Sequence, residues 1–115
     1  MRQDRITRQS VALLEGEAAV ARLFGLQGLV ELRAARAAEV ERLRAQGEEI
    51  ERDQERIRRN LGAVPSNNAL HGRLLQQLEA AETRMEGVRK SQEGARAAVE
   101  AAQRALEVAV AGFTL

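Results

Sequence analysis

The chain has 115 residues, of which 44% are hydrophobic and 30% are charged, and its formal net charge is only +1. This length allows at most one domain, and the near-neutral charge gives no electrostatic reason to expect a nucleic acid or an anionic membrane as partner. Cysteine is absent, which excludes disulfides and thiolate chemistry, and aromatic residues make up only 2% of the chain. The richness in Ala, Glu, Arg and Leu is typical of long helices or of a coiled coil.

The sequence carries no signal for export or for membrane insertion. Residues 1–10 are charged but are not followed by an apolar segment of signal-peptide length. The longest apolar runs are far shorter than the roughly 20 residues that a membrane span needs. We therefore expect a soluble protein without a signal peptide, cytoplasmic unless the chain is a fragment of an exported protein.

The first predicted helical arm covers residues 10–61 and follows a polar, basic segment, residues 1–9, that we expect to be frayed. Its N-terminal part is apolar over more than half of its circumference, which is more than one partner helix could cover. The side chains that we expect to contact a partner there are Leu13, Leu14, Val20, Leu23 and Phe24.

Two glycines make the path of this arm ambiguous. Gly25 and Gly28 each weaken a helix by about 1 kcal/mol relative to alanine. The sequence leaves two alternatives of equal weight: a bend or a short extra helix near residues 24–28, or a helix that runs straight through.

Two mainly apolar series with alternating steps of three and four residues predict a coiled coil. The series in the first arm comprises Leu26, Leu29, Arg33, Arg36, Val40, Leu43, Gly47, Ile50, Gln54, Ile57 and Leu61, of which Arg33, Arg36, Gly47 and Gln54 are flaws. The series in the second arm comprises Leu74, Leu78, Ala81, Met85, Val88, Gln92, Ala95, Val99, Ala102, Leu106, Ala109 and Phe113. Acidic and basic residues three or four apart lie off this seam, and each pair contributes a few tenths of a kcal/mol. Such pairs are Glu39/Arg42, Glu41/Arg44, Glu48/Arg52, Glu49/Arg52, Asp53/Arg56, Glu55/Arg59, Glu86/Lys90 and Glu100/Arg104. We interpret these charges as a solvated face rather than an active site.

Residues 62–68 are the predicted turn between the arms. Gly62 favours a left-handed cap that ends the first helix, and Pro65 biases the residue before it away from helical geometry. One of residues 66–68 then caps the second arm, residues 69–113. Because this loop is short, the arms must be antiparallel neighbours. The predicted fold class is all-α, an antiparallel two-helix coiled-coil hairpin.

The register of the hairpin predicts a partner. Pairing Leu61 with Leu74 across the turn places Leu23 near the end of the second arm, at Phe113, so that residues before about 21 lack an intramolecular neighbour. A two-helix hairpin is also marginally stable alone. We expect self-association, as a dimer that forms a four-helix bundle, with docking onto a missing domain of a larger protein as the alternative.

The sequence contains no constellation that indicates chemistry. His71 is the only histidine and has no second ligand at metal-binding spacing, and the serines have no neighbouring base. We expect no catalytic, cofactor-binding or metal-binding residues, no small-molecule substrate and no enzyme.

The turn and its flanks form a mildly basic hairpin tip: Arg56, Arg58, Arg59, Asn60 and Arg73. This tip could contact phosphates or an acidic partner. We favour the simpler interpretation that the macrodipole places basic side chains at a helix C-terminus, because no aromatic residue is present to stack a base. The predicted function is a non-enzymatic protein-interaction module, and the alternative is a binder of nucleic acid or of an acidic partner through this tip.

The residues around the turn resemble a known hairpin. The run 53–61 (DQERIRRNL), the Ala-Val-Pro at 63–65, and then Leu70, Leu74 and Leu78 with Glu82 are similar to the C-terminal helical hairpin of bacterial mucoidy-inhibitor-A-like proteins. The similarity covers roughly residues 29–115, and His71-Gly72-Arg73 departs from it where the family pattern has an aromatic residue near an arginine. The resemblance implies two coiled-coil helices in a domain of unknown function. It implies a structural or interaction role without catalytic residues.

Overall fold

Two helices make up the fold. The structure is a computed structural model that describes the backbone of residues 2–113 and the side chains of residues 7–113. Helix α1 spans Arg2–Ala63 and helix α2 spans Ala69–Ala111, and the two pack against each other as a hairpin. The described residues contain no strand. The all-α antiparallel hairpin is therefore confirmed.

Helix α1 begins earlier than the sequence indicated and is not interrupted. Residues 2–9 are helical, so the expectation of a frayed N-terminus is wrong for them; Met1 lies outside the described residues. Once a helix is nucleated, each added residue contributes another hydrogen bond, and residues 2–9 contain no Gly or Pro to oppose this. The helix also continues through residues 24–28, so of the two alternatives at the glycines the unbroken helix is observed.

Proline, and not glycine, determines where α1 ends. The helix passes through Gly62 to Ala63, and no glycine among the described residues has a positive φ angle, so the predicted left-handed cap at Gly62 is wrong. The Val64 amide donates a hydrogen bond to the Leu61 carbonyl over 3.4 Å, which tightens the final turn. Pro65 then ends the helix because it has no amide hydrogen and disfavours helical geometry at the residue before it.

Asn68 caps the second helix. Its Oδ1 accepts a hydrogen bond from the Leu70 amide over 2.9 Å, and its backbone carbonyl accepts one from the His71 amide over 3.0 Å. This is the geometry by which an Asn satisfies the free amides of a first turn. At the other end, α2 stops at Ala111 rather than at residue 113, and the Gly112 amide donates to the Val108 carbonyl over 3.1 Å.

Contacts divide the hairpin into two units, and the unit of residues 36–98 holds the main core. The buried side chains of that core are Ile50, Ile57, Leu74, Ala81, Met85 and Val88, with Leu61, Val64 and Leu78 packed against them. A Cβ atom added to Gly47 would lie 3.7 Å from Val88 Cγ1 and 3.7 Å from Gln92 Nε2. These contacts follow the register set by pairing Leu61 with Leu74.

The second unit comprises residues 2–35 and 99–113 of the described chain. Arg33 Nε donates a hydrogen bond to Gln103 Oε1 across the two helices, and Ala102 is buried. Leu26 and Leu29 on α1 are partly buried. The helices therefore pair in this unit also, in the same register.

Half of the predicted acid–base pairs form. Arg42 contacts Glu39 at 2.6 Å, Arg44 contacts Glu41 at 3.0 Å and also Glu48 at 2.7 Å, and the pairs Asp53/Arg56 and Glu86/Lys90 lie at 3.7 and 3.6 Å. The other four predicted pairs do not form within the described part of the chain: Glu48/Arg52, Glu49/Arg52, Glu55/Arg59 and Glu100/Arg104. All of these groups are exposed or half-exposed, so each pair contributes little to stability.

The cap can be tested by mutation. We expect Asn68→Ala to lower the free energy of unfolding by about 1 kcal/mol, because the Leu70 amide loses its acceptor. Thermal unfolding followed by circular dichroism measures the change. Asn67→Ala is the matched control, because its side chain makes no hydrogen bond to the described residues. Equal losses in the two variants would contradict the assignment of the cap.

The close approach at Gly47 gives a second prediction. Gly47→Ala should raise the free energy of unfolding by up to about 1 kcal/mol, because the added methyl group fits at ordinary contact distance and alanine favours the helix. Gly47→Leu should lower it, because the rest of the side chain must displace Val88. At Gly87, where an added Cβ meets nothing within 4 Å, both substitutions should be tolerated. Urea unfolding of the four variants provides the comparison, and tolerance of leucine at position 47 would show that the helices are not closely packed there.

Candidate interaction surface

All five residues that were predicted to contact a partner are exposed on α1. The exposed fractions are 70% for Leu13, 65% for Leu14, 50% for Val20, 50% for Leu23 and 69% for Phe24. Single exposed apolar residues are common in proteins, whereas a contiguous set of them indicates an interaction site. Whether these five are contiguous depends on which face of the helix each occupies.

The hairpin seam does not pass through these residues. Ala19, Leu26 and Leu29 are the partly buried residues of α1 among the described side chains of the unit of residues 2–35 and 99–113. Steps of seven residues back from the two leucines reach Ala19 and Arg22. The side of α1 that continues the seam therefore carries charge, and the apolar side chains lie on another side.

One contiguous apolar surface runs along this other side, and we name it the outer stripe. It consists of Leu13, Gly16, Val20, Leu23 and Phe24, which recur at helical steps of three and four, and of Val30, which follows Leu23 by seven residues. Val30 is 52% exposed although its neighbour Leu29 is partly buried. Four of the five predicted residues are thus brought together on one face, whereas Leu14 lies on a different face beside Val11. Sequence reasoning missed Gly16 and Val30, although the offset of the apolar series from the heptad could have indicated both.

Gly16 forms a notch in the outer stripe. A shallow groove here is lined by Ala12, Leu13, Gly16, Glu17, Val20 and Ala21, and its walls are almost entirely apolar. A Cβ atom at Gly16 would meet nothing within 4 Å. A large apolar side chain from a partner could therefore fill the notch without displacing any atom of this chain.

The charges in the N-terminal part of α1 differ from those nearer the turn. Arg42 lowers the pKa of Glu39 chiefly by a side-chain hydrogen bond, and Glu41 raises the pKa of Arg44 in the same way. In the part of α1 whose side chains are described, Arg8, Glu15, Glu17, Arg22 and Glu31 make no ion pair. Glu17 borders the groove of the outer stripe, Glu31 accepts a hydrogen bond from Gln27 Nε2 over 3.4 Å, and Arg22 lies on the side that continues the seam.

The basic hairpin tip is exposed but is partly offset by carboxylates. Arg56 contacts Asp53 at 3.7 Å, and Asp53 also lies 3.6 Å from Arg84. Arg58 borders a groove that includes Glu82 and Glu86. In the described chain, Arg58, Arg59 and Arg73 have no ion-pair partner. The positive charge of the tip therefore faces solvent beside several negative groups.

The described residues provide neither a metal site nor a membrane-spanning segment. Among the described residues, no three His, Cys, Asp or Glu side chains are grouped so that they could hold a metal ion. Neither helix contains, over its described length, a stretch apolar enough to cross a membrane. No family model, no curated protein and no solved structure matches the chain.

Proposed function

We propose that this chain is a non-enzymatic helical-hairpin module that self-associates through the outer stripe. The observation that carries the proposal is the contiguous exposure of Leu13, Val20, Leu23, Phe24 and Val30 on one side of α1. Removing these side chains from water stabilises an assembly by about 25 cal/mol for each Å² of apolar surface. The hairpin seam cannot supply this burial because it lies on a different side of the helix.

The total exposed area supports the same proposal. The accessible surface of the chain is 8854 Å² at a mass of 12.6 kDa. A compact monomer of this mass exposes about 6,200 Å², so the excess is roughly 2,600 Å². That excess is comparable to the area that one subunit buries in a large obligate interface. A second copy is the simplest partner that an isolated chain has.

The resemblance to the hairpin of mucoidy-inhibitor-A-like proteins stays a prediction, and it supports a structural or interaction role. The residues that carry it, at positions 53–65, lie at the turn and contribute Gln54 and Ile57 to the buried seam. Their packing between the two helices accounts for the pattern without any catalytic function. The outer stripe lies outside the residues that carry the resemblance.

A second function, of a different class, is binding of nucleic acid or of an acidic partner through the basic hairpin tip. The exposed and unpaired guanidinium groups of Arg58, Arg59 and Arg73 favour it. Two observations weaken this second function: the carboxylates of Asp53 and Glu82 lie nearby, and the tip contains no aromatic residue. Binding of this kind would be strongly salt-dependent, because neutralised phosphates release counterions.

Self-association can be tested at the centre of the outer stripe. We expect Leu23→Asp to abolish it, because a carboxylate would be buried in an apolar interface. Leu75→Asp is the matched control, since Leu75 on α2 is 45% exposed and Leu23 is 50% exposed. Sedimentation velocity over a dilution series measures the mass of each variant, and circular dichroism shows whether the helices persist. A monomeric wild-type chain, or an equal effect of the two substitutions, would contradict the proposal.

The tip is tested separately. We expect Arg58→Ala/Arg59→Ala to leave the solution mass unchanged at both low and high salt, because neither residue contacts the outer stripe. We also expect the wild-type chain not to bind a labelled single-stranded oligonucleotide specifically, so the double variant should behave in the same way as the wild type in this assay. Oligonucleotide binding that weakens steeply with salt and with the double substitution would instead support the tip as the functional site.

A further inference from the structure

The outer stripe carries a small residue and a large residue at equal distances from Val20, and this spacing bears on how two copies would pack. Val20 lies at its centre, with Gly16 four residues before it and Phe24 four residues after it. Residues four apart lie on the same ridge of a helix. One end of this ridge therefore carries the open notch, and the other end carries the largest exposed side chain of the stripe.

We propose that two copies pack their outer stripes antiparallel, with Val20 on the two-fold axis and Phe24 of each copy in the Gly16 notch of the other. This inference rests on the proposed self-association and specifies its interface. The interface is isologous, because the same surface of both copies is used. Its occupant is a second copy of this chain.

The sizes of the facing residues favour this orientation over the parallel one. In the antiparallel alignment Phe24 faces Gly16 of the second copy, and Ala12 faces Gly28. A parallel alignment would place glycine against glycine, which leaves a void, and phenylalanine against phenylalanine, which separates the helices. Helices approach most closely where a large residue packs against a small one.

Cysteine cross-linking tests the orientation directly, because the chain contains no cysteine of its own. Three single variants are compared, Val20→Cys, Leu13→Cys and Phe24→Cys, first reduced to establish the mass and then under mild oxidation. In the proposed dimer only the two copies of residue 20 are close together. The two copies of residue 13 would be about 21 Å apart along the helix axis and those of residue 24 about 12 Å apart, at a rise of 1.5 Å per residue. A disulfide requires Cα atoms within about 7 Å of each other.

We expect a disulfide-linked dimer from Val20→Cys alone. Cross-linking of all three variants would show a parallel dimer and overturn the inference, while self-association itself would stand. A reduced dimer in which Val20→Cys does not cross-link would place the interface elsewhere, which also overturns the inference. A chain that is monomeric when reduced, at every concentration, would remove the proposed function together with this interface.

Filling the notch provides an independent test. Gly16→Leu should weaken dimerisation by about tenfold or more, equivalent to about 1.4 kcal/mol, because Phe24 of the second copy loses its site. Gly25→Leu is the matched control, because Gly25 lies in the same helix, has nothing within 4 Å of an added Cβ, and lies off the outer stripe. Both substitutions strengthen the helix equally. Equal dimer dissociation constants for the two variants would show that the notch is unused.

Discussion

Two helices share only one seam, and this constraint governs what the rest of the chain must do. In the unit of residues 36–98 the seam is filled by Ile50, Ile57, Leu74 and Met85, all nearly buried. Any apolar side chain on another side of α1 remains in water, whatever the stability of the seam. The pairing of the two helices therefore leaves the outer stripe without an intramolecular partner.

The seam itself is narrow because small residues occupy part of it. Ala81 and Gly47 allow the two helices to approach closely. Gln54 is nearly buried but borders an open groove that Arg58, Glu82 and Arg89 also line, and no buried side-chain polar atom of the described chain lacks a hydrogen-bond partner. Close packing of small groups gives less apolar burial per turn than a seam of leucines would give. The seam consequently gives this hairpin less stability than a larger core would give a hairpin of the same length.

The features that were predictable from the sequence are those that one local rule controls. The heptad spacing identified the seam and its register, and the Asn-rich run after Pro65 located the cap of α2 within three residues. The end of α1 was predicted at residue 61 but lies at Ala63, because Gly62 and Pro65 both favour a helix end and only proline is unable to continue the helix. The N-terminal start was misplaced because cooperativity carries a helix through residues that would not nucleate one.

The candidate surface was predicted in part for a related reason. Exposure of Leu13, Val20, Leu23 and Phe24 follows from their position on a side of α1 that the seam does not include. Their arrangement on one face, without Leu14 and with Gly16 and Val30, required the position of the seam on the same helix. The identity of a partner does not affect how this chain packs against itself. A single sequence therefore indicates a partner only through the chemistry of its exposed residues.

The short connection after Ala63 also sets the order in which the helices can find each other. Bringing Leu61 against Leu74 closes a loop of about a dozen residues, whereas bringing Arg33 against Gln103 closes one of about seventy, and the entropy cost of closure rises with loop length. Each pair that forms near the turn shortens the free segment that the next pair must close. Closure entropy therefore favours pairing from Pro65 outwards, and we expect contacts far from the turn, such as that of Arg33 with Gln103, to form after those near it.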